Sequence, residues 1–255
     1  MHDGLSYTDI NAATIDRWVE SGWEWGKPVS HEVCEKARKG EWDVLLTPTK
    51  NVPKEWFPDL KGKKLLGLAC GGGQQMPIFS LCGADCTVLD YSEKQLESER
   101  EVEEREGYSI NIIRSDMTKP LPFGDESFDI VFHPVSNCYI RDVRHVWDEC
   151  FRVLKKGGLL MSGLDNGINF LFSENDESKI INSLPFDPIS NDEQRKLLES
   201  EDAGFQFSHT IEEQIGGQIK AGFAVLDVYE DTNGCGFLHE HGVPTFWATL
   251  AKKIR

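Results

Sequence analysis

The chain has 255 residues, 39% hydrophobic and 27% charged, a balance that suits a soluble globular protein with room for one large α/β domain and a full core. Its 43 acidic and 27 basic side chains leave a net charge of −16. Such a surface repels phosphate backbones and anionic headgroups, which argues against nucleic acid as a partner.

In chain order, the first sixty residues are irregular and carry five tryptophans, Trp18, Trp23, Trp25, Trp42 and Trp56. Short helices are expected over 8–21 and 30–40, and an extended, proline-bearing stretch over 45–58. A regular alternation follows. An apolar run at 64–69 ends at glycines, 75–82 is helix-like, and 86–90 is a β-branched strand closed by Asp90. Residues 92–106 form a charged amphipathic helix with Ser92 as its cap and Gly107 as its stop. Strands are expected at 109–114 and 128–133. A helix over 141–154 is closed by Lys155-Lys156-Gly157-Gly158, and a fifth strand runs over 159–164. The stretch 166–208 is long, broken by Pro185 and Pro188, and holds one expected helix, 192–200. Thr210 and Glu213 have capping-box spacing for a helix to about Gly222. Strands at 224–229 and 245–251 flank a turn cluster, as in an antiparallel hairpin.

Strands alternating with helices imply a doubly wound, Rossmann-like α/β fold. The sheet is mostly parallel, with seven strands and an antiparallel terminal strand. Residues 1–60 are read as a lid segment, 61–255 as the main domain, and 166–208 as an insert after the fifth strand. Ligands of such sheets bind beyond the carboxyl ends of the strands. Gly71, Asp90, Asp116 and His133 each follow an apolar run.

The turn Ala69-Cys70-Gly71-Gly72-Gly73-Gln74 lets backbone groups approach a ligand closely and aims a helix N-terminus at it. Asp90 lies 17 positions after Gly73 at the end of the next strand, where a carboxylate accepts hydrogen bonds from a ribose diol. A dinucleotide fingerprint requires a third glycine where Met76 stands. A nicotinamide-dependent oxidoreductase is therefore the weaker of two nucleotide-binding readings.

The stretch from Gly67 to Gly73 resembles the first motif of class I S-adenosylmethionine-dependent methyltransferases, D-x-G-C-G-x-G. Asp116-Met117, the run Leu121-Pro122-Phe123-Gly124-Asp125-Glu126-Ser127-Phe128-Asp129 and the turn Arg152-Val153-Leu154-Lys155-Lys156-Gly157-Gly158 resemble its later motifs in order and spacing. The resemblance spans roughly residues 64–164 and is nearest to the branch that methylates small molecules, including quinone precursors. It implies S-adenosylmethionine as cofactor and a small-molecule methyl acceptor. Ala69, Cys70, Gly71 and Gly73 would line the methionine end, Asp90 the ribose, and Tyr91, Asp116 and Met117 the adenine. Gln74, Gln95, His133 and Val135 complete the expected cofactor contacts. The family acid is replaced by Gly67, so the cofactor's amino group needs another partner.

His133 and His209 are candidate general bases for an oxygen acceptor. Both also have a plain structural reading, as packing and as the residue before a helix cap. Trp18 and Trp25 are candidates for an aromatic lid, and Asn137, Tyr139 and the insert 166–208 for the acceptor side. A non-catalytic cofactor-binding module remains an alternative; an enclosed, polar cavity beside the sulfonium favours the enzyme, a pocket filled by side chains the module. No metal is expected, since Cys82 and Cys86 lack a second ligand pair and His239 and His241 read as a surface turn. No apolar run reaches bilayer length, so no membrane partner is expected. The N-terminus lacks a secretory pattern. Seven scattered cysteines fit free thiols in a reducing cytoplasm, with the chain a monomer or homodimer.

Overall fold

The structure, a computed structural model, describes residues 4–173 and 176–254. Its elements run α1 (Tyr7–Glu20), α2 (His31–Arg38), β1 (Lys64–Leu68), α3 (Gln75–Leu81), β2 (Asp85–Asp90), α4 (Glu93–Glu106), β3 (Asn111–Arg114), β4 (Phe128–His133), α5 (Val143–Val153), β5 (Leu154–Asp165), α6 (Asp192–Glu201), α7 (Ile211–Ala221), β6 (Phe223–Asp231), α8 (Gly236–Glu240) and β7 (Phe246–Lys253).

Local chemistry sets the helix ends. Ser6 and Asp9 form a reciprocal capping box on α1, and Thr210 and Glu213 form another on α7. Ser92 caps α4 through the Gln95 N–H, and Gly107 closes it at φ 70°, a left-handed conformation that glycine adopts without steric cost.

The strands form one sheet in the order β3-β2-β1-β4-β5-β7-β6. The pairs from β3 to β5 are parallel, and β7 runs antiparallel to both β5 and β6. Past Lys64, β1 is buried at every position, as a central parallel strand covered on both faces must be. One face packs Met76, Phe79, Leu96 and Trp56 over the sheet, and the other packs Val146, Trp147 and Cys150. A smaller cluster, Cys138, Phe170, Phe186, Leu198 and Ala203, joins the segment after β5 to the loop after β4.

One boundary differs from the sequence reading. Lys155-Lys156-Gly157-Gly158 is no separate turn between helix and strand: α5 stops at Val153 and β5 starts at Leu154, paired with Phe128. The pairing shifts register between Phe128 and Ile130, and that irregularity absorbs the two glycines within the strand. The hairpin before the C-terminus also holds a short helix, α8, within its connection.

Candidate active site

The strand order reverses between β1 and β4, and the chain places a cavity of about 950 Å³ at the carboxyl ends of these strands. That is where open α/β sheets bind ligands. The cavity is not filled by side chains, and its volume lies near the top of the roughly 300–1,000 Å³ usual for small-molecule pockets. Ala69, Cys70, Gly71 and Gln74 line it from the β1 turn, Asp90, Tyr91, Ser92 and Gln95 from β2 and α4, and Asp116 and Met117 from the loop after β3.

Asp90 organises the near wall. Its Oδ2 accepts the Gly71 N–H and its Oδ1 the Ser92 N–H, each at 3.0 Å. Each oxygen keeps a further lone pair for a ligand. Burial pushes the Asp90 carboxyl above its ordinary pKa, against the pull of these backbone donors. Gly71 is glycine for steric reasons: a Cβ there would stand 2.6 Å from Gln95 Cβ and 3.1 Å from Asp90 Oδ2. Beside it Ala69 adopts φ 47°, strained for a residue with a Cβ. The family motif has glycine at this position.

Gly73 acts elsewhere. It does not line the cavity; its N–H is donated to Glu99 Oε1, and its missing side chain makes room for the Ser98 carbonyl of α4. At Gly67, a Cβ would stand 2.4 Å from Met76 Sδ. The thioether of Met76 fills the space that the family carboxylate would need.

The N-terminal segment closes over this wall. Thr8 donates to Asp116 Oδ2 at 3.0 Å, Tyr91 to Asp9 Oδ1 at 2.6 Å, and Ser92 Oγ to Asp16 Oδ1 at 2.5 Å. Asn11 donates to the Tyr139 and Phe205 carbonyls and accepts the Phe205 N–H, which ties α1 to the far wall. Gln95 Nε2 donates to the Trp25 carbonyl while its Oε1, buried, has no partner. Trp23 and Trp25 line the cavity. Trp18 does not: it packs against Trp23 and Tyr139, with ring centroids 5.2 and 6.4 Å away.

Both histidines lie away from the cavity wall. His133 is fully buried, with Nδ1 2.8 Å from the Leu68 carbonyl and Nε2 2.8 Å from Asn137 Oδ1. Strand alternation turns it toward Trp147, on one face of the central strand β4, and burial lowers its pKa. Asn137 is locked between His133 and Gln214 and also misses the cavity. His209 Nε2 faces the Asn137 and Ile140 carbonyls, and burial lowers its pKa too. The wall beside β4 comes from Pro134, Val135 and Ser136, and Tyr139 also reaches it.

The sequence reading reached the far wall only coarsely, by assigning the insert 166–208 to the acceptor side without naming residues in it. The far wall includes Leu46 to Pro48, Asp165 at the end of β5, Asn169, Phe170, Phe186, Asn233 and Phe246. Asp165 was findable, because it follows an apolar strand just as Asp90 does. The others come from distant loops with no shared spacing.

A seven-stranded sheet of this order, with a glycine turn after β1 and an acid ending β2, defines a Rossmann-like nucleoside-binding enzyme of the methyltransferase type. The comparisons agree. The methyltransferase-domain family matches residues 66–162. An uncharacterized methyltransferase of Bacillus subtilis, YbaJ, is 44% identical over 251 residues, covering 96% of this chain and 97% of that relative. A sterol 24-C-methyltransferase of Aspergillus fumigatus, erg6, is 33% identical over 140 residues, which cover 54% of this chain and 37% of that relative. An S-adenosylmethionine-dependent methyltransferase from Mesorhizobium loti shares the fold with a TM-score of 0.61 at 22% identity, covering 78% of this chain and 94% of its own.

The chain belongs to the class I S-adenosylmethionine-dependent methyltransferases, and S-adenosylmethionine is its cofactor. The residues present fit that ligand. The half-buried Asp90 carboxylate lines the cavity and keeps lone pairs that the Gly71 and Ser92 N–H groups do not use, and Gln95 lines the same wall. When bound, the cofactor supplies an electrophilic methyl group on a sulfonium. Among the described residues, no helix is long and apolar enough to cross a membrane.

Proposed function

We propose that the methyl acceptor is a small molecule held inside the cavity. The supporting observation is the cavity itself: one continuous space runs from Asp90 and Asp116 to Phe186 and Phe246. In this reading Asp90 accepts the ribose hydroxyls. Tyr91, Asp116 and Met117 surround the adenine, and Ala69, Cys70, Gly71 and Gln74 flank the methionine end. Asp116 Oδ1 is already held by the Thr118 N–H, which leaves Oδ2 and its Thr8 contact toward the base. Gln95 and the backbone of the glycine turn stand in for the acid absent at Gly67. Val135 and Ser136 sit where the methyl group is passed, with Tyr139 and the segment 166–208 enclosing the acceptor.

The protein's own contribution is alignment and exclusion of water, and alignment alone supplies roughly 7–11 kcal/mol of rate acceleration. The segment 1–60 acts as the lid, with Trp25 and Trp23, rather than Trp18, facing the ligands. His133 and His209 hold structure instead of moving protons. Seven free cysteines, six of them at least partly buried, support a reducing compartment such as the cytoplasm.

The test is a metabolite extract incubated with the protein and methyl-labelled S-adenosylmethionine. Label is expected in low-molecular-mass compounds that gain one methylene. Label confined to protein or nucleic acid would sink the proposal.

A further inference from the structure

The cavity has a one-sided charge. Its lining includes six carboxylates, Asp90, Asp116, Asp165, Asp176, Glu177 and Glu201, and among the described residues no lysine, arginine or histidine. Asp90 and Asp116 belong to the cofactor end. Asp165 stands apart, at the end of β5, two strands across from β1, or roughly 10 Å at the usual strand spacing.

Asp165 is 8% exposed. Its Oδ1 accepts the Gly167 N–H at 2.6 Å and its Oδ2 the Asn169 amide at 3.3 Å. These neutral donors fix its orientation without neutralising it, and no cation among the described residues forms an ion pair with it. An unpaired buried charge is costly. Here the carboxylate borders a cavity, so a ligand has the room to supply the missing positive charge. Phe170 and Phe186, stacked with centroids 5.0 Å apart, line the same cavity and add apolar area and ring faces that attract cations.

We propose that the methyl acceptor is an amine with an apolar body, bound as its ammonium ion against Asp165, which takes up the proton that frees the nitrogen for attack. The proposal rests on the small-molecule reading above. One ammonium proton passes to the Asp165 carboxylate. The freed lone pair forms the nitrogen–carbon bond as the carbon–sulfur bond breaks, and that electron pair stays on sulfur. The products are the methylated ammonium ion, S-adenosylhomocysteine and a protonated Asp165, which returns its proton to water. Burial sets the Asp165 pKa at about 6, so the carboxylate predominates at neutral pH and is more basic than an ordinary aspartate. A hydroxyl acceptor is disfavoured, because an oxyanion would develop beside the Asp165 carboxylate with no cationic side chain among the described lining residues to offset it. A carboxylate or phosphate ester is disfavoured from the outset.

The test uses three probes that share a ring and differ in the end group: tryptamine, tryptophol and indole-3-propionate. Each is titrated by calorimetry into the full-length protein saturated with S-adenosylhomocysteine, and into Asp165→Asn treated alike. Wild type is expected to bind tryptamine at least about tenfold more tightly than tryptophol, equivalent to about 1.4 kcal/mol, and the propionate most weakly. In Asp165→Asn the amine preference collapses to about threefold or less. Tryptophol or indole-3-propionate binding wild type as tightly as tryptamine overturns this proposal alone, whatever the variant does. An undiminished amine preference in Asp165→Asn overturns the role of Asp165. Failure of all three to bind overturns this proposal alone, since the small-molecule reading falls only on the labelling test above.

Discussion

Removing the Asp90 carboxylate should weaken cofactor binding far more than it weakens the fold. Each Asp90 oxygen is held by one backbone N–H and keeps one lone pair for a ribose hydroxyl. A hydrogen bond to a charged group contributes about 1.5–3 kcal/mol. Losing two therefore costs roughly 3–6 kcal/mol, or on the order of a hundredfold to ten-thousandfold in Kd. Asp90→Ala also frees the Gly71 and Ser92 N–H groups, which loosens the turn. Asp90→Asn is the cleaner probe, since it keeps the shape and one acceptor oxygen, and a loss of about ten- to a hundredfold is expected. The charged form is the acceptor. Because burial raises its pKa, affinity should begin to fall at a higher pH on acidification than an ordinary aspartate would allow. Calorimetry with S-adenosylhomocysteine, with thermal unfolding as a check on the fold, reads both effects. Folded variants that bind within about threefold of wild type would refute the placement of the ribose.

Three further outcomes follow from buried groups. Glu99 is fully buried beneath the glycine turn, one oxygen lacks a partner, and burial lifts its pKa to about 8. The native state thus holds a proton that the unfolded chain releases, and this group makes stability fall as pH rises from about 4.5 to 8, by up to roughly 4 kcal/mol. Glu99→Gln should raise Tm over wild type at pH 8 and scarcely at pH 4.5; parallel Tm–pH curves would contradict this. Gly163→Ala would put a Cβ 1.9 Å from the Leu46 carbonyl oxygen and 2.9 Å from the Val135 nitrogen, two atoms that bond each other at 3.1 Å. Parting these backbones should cost about 3 kcal/mol or more in denaturant unfolding, and an unchanged midpoint would show that the crossing yields. His133→Gln should lower Tm yet leave S-adenosylhomocysteine affinity within about threefold, whereas a large affinity loss in a folded variant would restore His133 to the site.

What the sequence conveyed and what it hid divide along a physical line. The cofactor wall was legible because it lies at strand ends, and strands announce themselves as apolar runs bounded by caps: Ser92, Gly107 and Thr210 all act as their spacing implied. The acceptor wall was legible only as the insert 166–208 and not residue by residue, because Leu46, Phe186 and Phe246 meet only through tertiary packing. His133 misled because the strand-end rule locates a residue along the sheet but not on a face. Alternation puts His133 on the face that packs Trp147, and the cavity is reached only beyond the strand's end, by Pro134, Val135 and Ser136 of the following loop. Asp165 was overlooked although the same rule pointed to it.

The latch on α1 has a kinetic consequence. Thr8, Asp9 and Asp16 bind Asp116, Tyr91 and Ser92, all of which line the cavity at the proposed nucleoside end. On the proposed reading of this segment as a lid, cofactor entry and product departure share one gate built on the pocket's own wall, and these bonds part and re-form in each turnover. Residence time of S-adenosylhomocysteine, rather than its affinity, is then the quantity that Thr8→Val and Asp9→Ala should shorten in stopped-flow displacement; unchanged release rates would mean that the ligand leaves by another door.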